Sequence, residues 1–325
     1  MVSIALASYN GEKYVKEQLE SILQQDYKDW ELIICDDCSS DSTVEIIKEF
    51  IQRDSRVRLI INEHNLGFVK NFEKAVKLCN GDYIALCDQD DIWYPNHISK
   101  LLAELTKDNA TQLVCADARL VNIDNIDQGI NYSDKAGLKL IPSDKAKLLY
   151  RVLLYNNPFQ GASMMMKRNF ALSCFPIPEG IKYHDSWFAC CAILTNSSAG
   201  FKYLSDVLTR YRQHGDNNSG DKLRPRANII QKVLRIRRVP EMFKSKAIPN
   251  TDCVYFIPAL LGKYRPAESS EDYKILNRCG KFTNAMILKK NRFVQIVFAW
   301  INYSYIVTEK GHPDFLGWFG RWLIV

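Results

Sequence analysis

Apolar residues in the first ninety positions fall into short unbroken runs, separated by longer stretches in which they recur every three or four residues. The runs at 2–7, 30–35, 56–62 and 83–87 are too short for helices and too continuous for strands with one wet face. They therefore read as strands buried on both sides. Amphipathic helices lie between them: Val15, Leu19, Ile22 and Leu23 share a face of the first, Val44, Ile47, Phe50 and Ile51 of the second, and Val69, Phe72, Val76 and Cys79 of the third. Asn10 stands where it would cap the first helix, and Ser42 with Glu45 has the spacing of a capping box for the second. Strands alternating with helices of this length need right-handed crossovers, which predicts an α/β fold with a mainly parallel central sheet flanked by helices.

The pattern loosens further on. A helix over about 97–105 turns Ile98, Leu101, Leu102 and Leu105 inward, short strands follow at 113–116 and 119–123, and 125–144 is polar and aperiodic, as a surface loop would be. A strand over about 159–166 is entered from a turn bearing Gly161, the stretch 181–192 places Asp185 at the start of an apolar helix, and another strand spans 202–208. Beyond residue 220 the chain is dense in Lys and Arg as far as 246, and Pro240, Pro249 and Pro258 interrupt it. The uncharged stretch 293–307 is too short and too polar to span a bilayer. With the aromatic terminus 315–325 it suits either the plane of a membrane interface or a buried helix that covers the rest of the chain or a second copy.

Composition narrows the class. Of 325 residues 47% are hydrophobic and 25% charged, the balance of a folded globular protein. Ten Cys at irregular spacing, several within apolar runs, predict buried thiols in a reducing compartment rather than a disulfide framework or a zinc site. The start of the chain carries no basic leader, so no secretory signal is expected. Charge is unevenly placed: from Lys222 onward there are 19 Lys and Arg against 7 Asp and Glu, a net +12, while the remainder is −6. A basic tail points to an anionic partner, nucleic acid or lipid headgroups. No recognisable RNA- or DNA-binding motif accompanies it.

The candidate chemistry sits where the predicted strands end. The first turn has no G-x-G-x-x-G and the chain has no P-loop, which removes the usual occupants of such a sheet. Instead the fourth strand delivers Asp88, Asp90 and Asp91 onto one bend, the position where open α/β sheets hold ligands. Carboxylates so close repel unless a cation or donors neutralise them, so the bend suits Mg²⁺ or Mn²⁺ carrying a diphosphate, or is an acidic turn in water. Tyr9 can stack on a base and Asp37 can accept from a base N–H or ribose hydroxyl; alternatively Tyr9 packs on its helix, and Asp36 and Asp37 cap the next. Asp185 opens an apolar helix with His184 before it and Trp187 after, as a general base or as a helix cap.

Four stretches in order, Ala7-Ser8-Tyr9-Asn10, Asp36-Asp37-Cys38-Ser39-Ser40-Asp41, Asn65-Leu66-Gly67 and Asp88-Gln89-Asp90-Asp91, resemble the motifs of family 2 glycosyltransferases of the GT-A fold. The resemblance covers about the first two thirds of the chain; Cys38 departs from it where many relatives carry Gly. The wording Cys87-Asp88-Gln89-Asp90-Asp91-Ile92-Trp93, with Arg210-Tyr211-Arg212-Gln213-His214 later, looks most like the bacterial rhamnosyltransferases. The resemblance implies an inverting enzyme with Asp185 as catalytic base. It places Ala7, Tyr9, Asp37, Asn71, Asp88, Gln89, Asp90, Arg210 and Arg212 at the donor, and Asp91, Trp93, His184 and Trp187 at the acceptor. Asp88, Asp90 and His214 would hold a divalent metal, Mg²⁺ or Mn²⁺. It further implies dTDP-rhamnose as donor, with UDP- or GDP-hexoses as alternatives, and a glycan or lipid-linked acceptor for a cell-surface polysaccharide. Residues 1–115 would bind the nucleotide sugar, 116–221 the acceptor, and 222–325 form a basic helical extension. The expected location is the cytoplasm, peripheral to the inner membrane face, with a homodimer as one use of the tail; a non-catalytic nucleotide-sugar-binding assembly protein is the rival class.

Overall fold

The computed structural model describes residues 1–136, 148–149, 152–153, 157, 159–195, 199–215 and 253–288. The chain divides into two compact units, one of Met1–Ile141 with Asn157–His214 and the other of Pro142–Asn156 with Gly215–Val325.

The four apolar runs become β1 (Val2–Ser8), β2 (Trp30–Asp36), β3 (Val57–Ile61) and β4 (Tyr83–Asp88), joined by α1 (Val15–Leu23), α2 (Thr43–Arg53) and α3 (Phe68–Leu78). All four strands are parallel, in the spatial order β3, β2, β1, β4. Their apolar faces meet those of the helices, burying Leu19, Ile22, Ile47, Phe50, Phe72 and Val76 completely or nearly so. Truncating either phenylalanine to Ala would cost about 3–5 kcal/mol.

The caps differ from expectation. α1 begins at Val15, four residues after Gly11, and Asn10 lies outside it at φ +47°. Ser42 makes no capping bond with its side chain; its amide donates to Glu12, and the Thr43 amide donates to Asp41 Oδ1 at 3.0 Å. Asp41, one residue earlier, outcompetes the expected Ser42–Glu45 box because a carboxylate is the stronger acceptor.

The rest of the sheet is mixed. After β4 come β5 (Ile92–Trp93), α4 (His97–Leu105), β6 (Leu113–Val121), β7 (Asp127–Asn131) and α5 (Tyr132–Ala136), then a 3₁₀ turn Gly161–Ser163, β8 (Met164–Lys167), α6 (Arg168–Ser173), α7 (His184–Leu194) and β9 (Phe201–Arg212). The order continues β4, β8, β6, β9, β5, with β8 antiparallel to both neighbours, β9 parallel to β6, and β7 paired to β6. The two short strands expected at 113–116 and 119–123 are one strand. Asp117, which looks like a break, is buried at a register shift, where its carboxylate accepts from the Ala118 and Ser133 amides and the Ser133 hydroxyl. The start of the expected polar loop pairs as β7 for the same reason: β6 offers it an edge.

In the second unit α8 (Cys253–Tyr264) and α9 (Glu271–Leu288) pack on each other and bury Phe256, Ile257, Leu260, Ile275, Leu276 and Cys279. Pro258, expected to interrupt the chain, lies inside α8. Burial of its apolar neighbours offsets the roughly 3 kcal/mol that an interior proline costs a helix. No helix among the described residues is long and apolar enough to cross a membrane. The basic stretch 222–246 and the aromatic stretches 293–307 and 315–325 lie outside the described residues.

Candidate active site

The carboxyl ends of the central strands are level. Ser8 of β1 lies opposite Asp36 of β2, and half-buried Ala7 lies opposite Asp88 of β4. The chain winds from β1 outward to β3 and then returns to β4 on the other side of β1, so these ends flank a topological switch point, where a crevice for ligands forms.

On the β1–β3 side the polar residues form a closed network. Asp36 accepts from Ser8 Oγ at 2.8 Å and from Ser39 through its amide and hydroxyl. Asp37, 2% exposed, accepts from Asn62 Nδ2, the Leu66 amide and the Gly67 amide at 2.7–2.8 Å. That leaves about one of the four lone-pair positions of a carboxylate. Asn71 is buried, with Nδ2 donating to Cys35 O and Oδ1 accepting from Asn62, so it staples β2 to the loop after β3. The expected donor contact of Asn71 is thereby corrected: both ends of its amide are turned into the protein. Cys38 has the left-handed backbone, φ +66°, that favours Gly, and its thiol contacts Asn62 O at 3.0 Å. Tyr9 is 49% exposed, with its backbone paired to the Gln89 side chain.

The acid loop lies beside this network. Asp88 ends β4, and burial, followed by the Asp90 and Asp185 carboxylates, pushes its pKa well above the ordinary carboxylate range. Asp90 meets His214, Oδ2 to Nε2, at 2.7 Å, and the imidazole stacks on Tyr14 with centroids 4.7 Å apart. Asp91 is fully buried, accepting from Gln160 Nε2 at 2.9 Å and from the Arg212 amide at 3.1 Å. Its expected place at the acceptor is corrected, because it ties the loop to β9 and to the 3₁₀ turn.

Arginines end β9. Arg212, 1% exposed, donates to the Asp90 carbonyl, the Ile123 carbonyl and the Glu17 carboxylate at 2.7–2.9 Å, and lies over the Tyr14 ring. A guanidinium so engaged holds the acid loop rather than a diphosphate, which corrects the expected donor contact. Arg210 donates to Asn125 O, while its buried Nε has no partner.

Asp185 is the second residue of α7, two places inside the N-cap Tyr183. It does not cap by position; it accepts from the Ser186 amide at 2.5 Å, and the Asn157 side chain and Gly161 amide also favour its ionised form. Burial outweighs these bonds and pushes its pKa up to about 6. His184 is buried against Phe72 with centroids 4.1 Å apart, both ring nitrogens lack partners, and burial drives its pKa down to about 3. Trp187 and Trp93 are core residues: Trp187 donates to Cys174 O, and Trp93 donates to Ala162 O while stacking on His97. Neither offers a face to a sugar, so both acceptor expectations are corrected. The structure adds Asn157, Gln160, Gly161 and Glu17, which the spacing along the chain does not single out.

Among the described residues no group of three or more His, Cys, Asp or Glu is arranged to hold a metal ion. Divalent ions at nucleotide sites, however, take one or two protein carboxylates and complete their shell with phosphates and water. The Asp90–His214 pair has that donor set, with Asp88 held beside it against like-charge repulsion that a cation would relieve.

Residues 3–175 match the sequence profile described as Glycosyl transferase family 2. An Escherichia coli relative named UDP-Glc:alpha-D-GlcNAc-diphosphoundecaprenol beta-1,3-glucosyltransferase WfgD is 28% identical over 69% of this chain and 81% of its own length. Uncharacterized glycosyltransferase MJ1057 of Methanocaldococcus jannaschii is 44% identical over 65% of this chain and 70% of its own. Among solved structures, the mannosyltransferase PcManGT from Pyrobaculum calidifontis, in complex with GDP-Man and Mn²⁺, superposes with a TM-score of 0.57 at 14% identity, covering 99% of this chain and 84% of that one. At that identity the likeness speaks for the fold.

Proposed function

This chain belongs to glycosyl transferase family 2 and has the GT-A fold, and from that premise we propose that it is an inverting enzyme moving a sugar from a nucleoside diphosphate onto a lipid-linked or polysaccharide acceptor. The observation that carries the reading is the Asp90–His214 pair, Oδ2 to Nε2 at 2.7 Å, which joins the residue after the end of β9 to the acid loop that follows Asp88. Such a donor pair suits a divalent cation on a departing diphosphate, and Asp185, whose charge bears on that of Asp88, serves as the base for direct displacement at the anomeric carbon.

Tyr9 and Asp37 hold the nucleoside, the Tyr9 ring by stacking and Asp37 through its remaining lone pair. Asp185 takes the proton from the acceptor hydroxyl as that oxygen attacks. With a pKa of about 6 it is about nine-tenths ionised at pH 7 yet still basic enough to accept. Asp90 and His214, with Asp88, would hold a divalent cation, which supplies charge neutralisation to the departing diphosphate. Residues 1–115 serve the donor and 116–221 the acceptor and base, while the basic segment from Lys222 suits an anionic lipid surface.

The donor is dTDP-rhamnose, on the wording of residues 87–93 and 210–214. A UDP-hexose is the second reading, favoured by the UDP-glucose in the name of the Escherichia coli relative, whose diphosphoundecaprenol acceptor also supports a lipid-linked one here. The test is transfer by purified protein with dTDP-rhamnose, UDP-glucose, UDP-GlcNAc and GDP-mannose, with and without Mn²⁺, beside Asp185→Asn. Metal-dependent release of one nucleoside diphosphate, lost in the variant while donor binding survives, is the expected result. Donor binding without turnover on any lipid-linked acceptor would instead mark a non-catalytic binding protein.

A further inference from the structure

Gln89 stands between two acidic residues of the acid loop, yet its amide turns to the loop after β1. Its Nε2 donates to Tyr9 O and its Oε1 accepts from the Tyr9 amide, both at 2.9 Å. A side chain thus makes the paired bonds that a neighbouring strand would make, between residues 80 apart in sequence.

The amides that follow are held from the other side. Asn10 N–H donates to Ser39 Oγ at 2.9 Å, Gly11 N–H to Thr43 Oγ1 at 2.7 Å and Glu12 N–H to Asp41 Oδ2 at 3.1 Å. Four consecutive backbone donors, from Tyr9 to Glu12, are therefore each fixed by a side chain from another segment. Only the Tyr9 ring is left open. Gly11 makes room for this arrangement: a Cβ there would lie 2.2 Å from Gln89 Oε1 and 2.5 Å from its Cδ. The backbone of Gly11 is not left-handed, so the requirement for glycine is one of space alone.

We propose that Gln89 is a positioning residue that sets the Tyr9 ring for the nucleoside, so that the acid loop determines base affinity through Tyr9 and not by touching the donor. The inference rests on the nucleotide-sugar reading above. It predicts that any change that dislodges the Gln89 amide acts on nucleotide affinity only while the Tyr9 ring is present.

Calorimetric titration of the full-length protein with UDP and with dTDP, in MnCl₂, tests it. Gln89→Met keeps the length of the side chain and loses both bonds, and should weaken binding about tenfold. Gly11→Ala should weaken it to a similar extent by displacing the amide, and should add less than about twofold in the Met background. In a Tyr9→Ala background Gln89→Met should also cost less than about twofold, the non-additivity of groups that act as one unit. An undiminished loss in that background would show direct contact with the donor and overturn the proposal, as would unchanged affinity in both single variants. Wild-type protein that binds neither nucleotide sinks the nucleotide-sugar reading along with it, whereas wild-type binding with indifferent variants sinks the positioning role of Gln89 alone. Gln89→Asn, too short to reach both Tyr9 atoms, serves the same cycle if the Met variant does not fold.

Discussion

Two regions around the strand ends, the β1–β3 network and the start of α7 with the end of β9, handle buried polar groups in opposite ways. Along β1–β4, Ser8, Asp36, Asp37, Asn62 and Asn71 are buried and hydrogen-bonded to one another or to backbone; Trp30 Nε1, at the far end of β2, is the one unpartnered buried side-chain atom there among the described residues. Around the first turn of α7 and the end of β9, both nitrogens of His184 and Nε of Arg210 are buried without partners, and Asp185 there, with Asp88 where β4 ends, carries a raised pKa. A satisfied network is rigid and stabilising, while unpaired buried groups cost free energy that a bound substrate can recover. One side is scaffold and the other is held ready for chemistry.

The sharpest break in this contrast comes from the base. Asp185→Asn should lower kcat by about 10³-fold or more while leaving nucleoside diphosphate affinity within about twofold; a rate above a tenth of wild type would show that this side carries no proton transfer. On the scaffold side, Asn71→Ala removes the side-chain donor to Cys35 O and one of the two acceptors of Asn62 Nδ2 and should cost about 2 kcal/mol, read as a fall in Tm of several degrees. The opposite is expected of His184→Phe, which loses no hydrogen bond and gains apolar contact with Phe72. Its stability should hold or rise, by up to about 1 kcal/mol, with Tm following, while the acceptor KM increases. A stability loss as large as that of Asn71→Ala would erase the distinction.

pH separates the same two sides. As the proposed base Asp185 acts in its ionised form, so kcat/KM should climb as pH rises toward about 6 and level off above it. Stability runs the other way. A carboxyl whose folded pKa is raised favours the folded state while protonated, and that contribution is lost as pH rises through about 6. The Tm of Asp185→Asn should therefore gain on wild type between pH 5 and pH 8. The smallest effect belongs to Cys38→Gly, which removes a left-handed strain of about 1–2 kcal/mol but adds unfolded-chain entropy and gives up the thiol contact. A net gain below about 1 kcal/mol is expected by denaturant titration.

The parallel half was legible in the chain because both-sided burial writes an unbroken apolar run, and Val2, Trp30, Val57 and Tyr83 each open a strand at or within a residue of the predicted start. The acid loop and Asp185 were legible as residue types at strand and helix ends. What the pattern could not separate was chemistry from its support. Arg212, Trp93 and Trp187 have the side chains that ligand sites use, yet burial turns all three inward. Gln160 and Glu17, which hold Asp91 and Arg212, are unmarked by periodicity because their roles depend on contacts 69 and 195 residues away along the chain.

The closure of β9 on the acid loop also has a temporal side. The bonds that organise Asp90 and Asp91 come from Arg212 and His214, 121 to 124 residues downstream. At a synthesis rate of about 5–20 residues per second, the ribosome needs on the order of 6–25 s to supply them. Throughout that interval the nascent chain carries a carboxylate cluster without its arginine and histidine counterparts. Completion of the acid loop therefore comes late in translation, set by β9 and His214 and not by the motif that marks the loop.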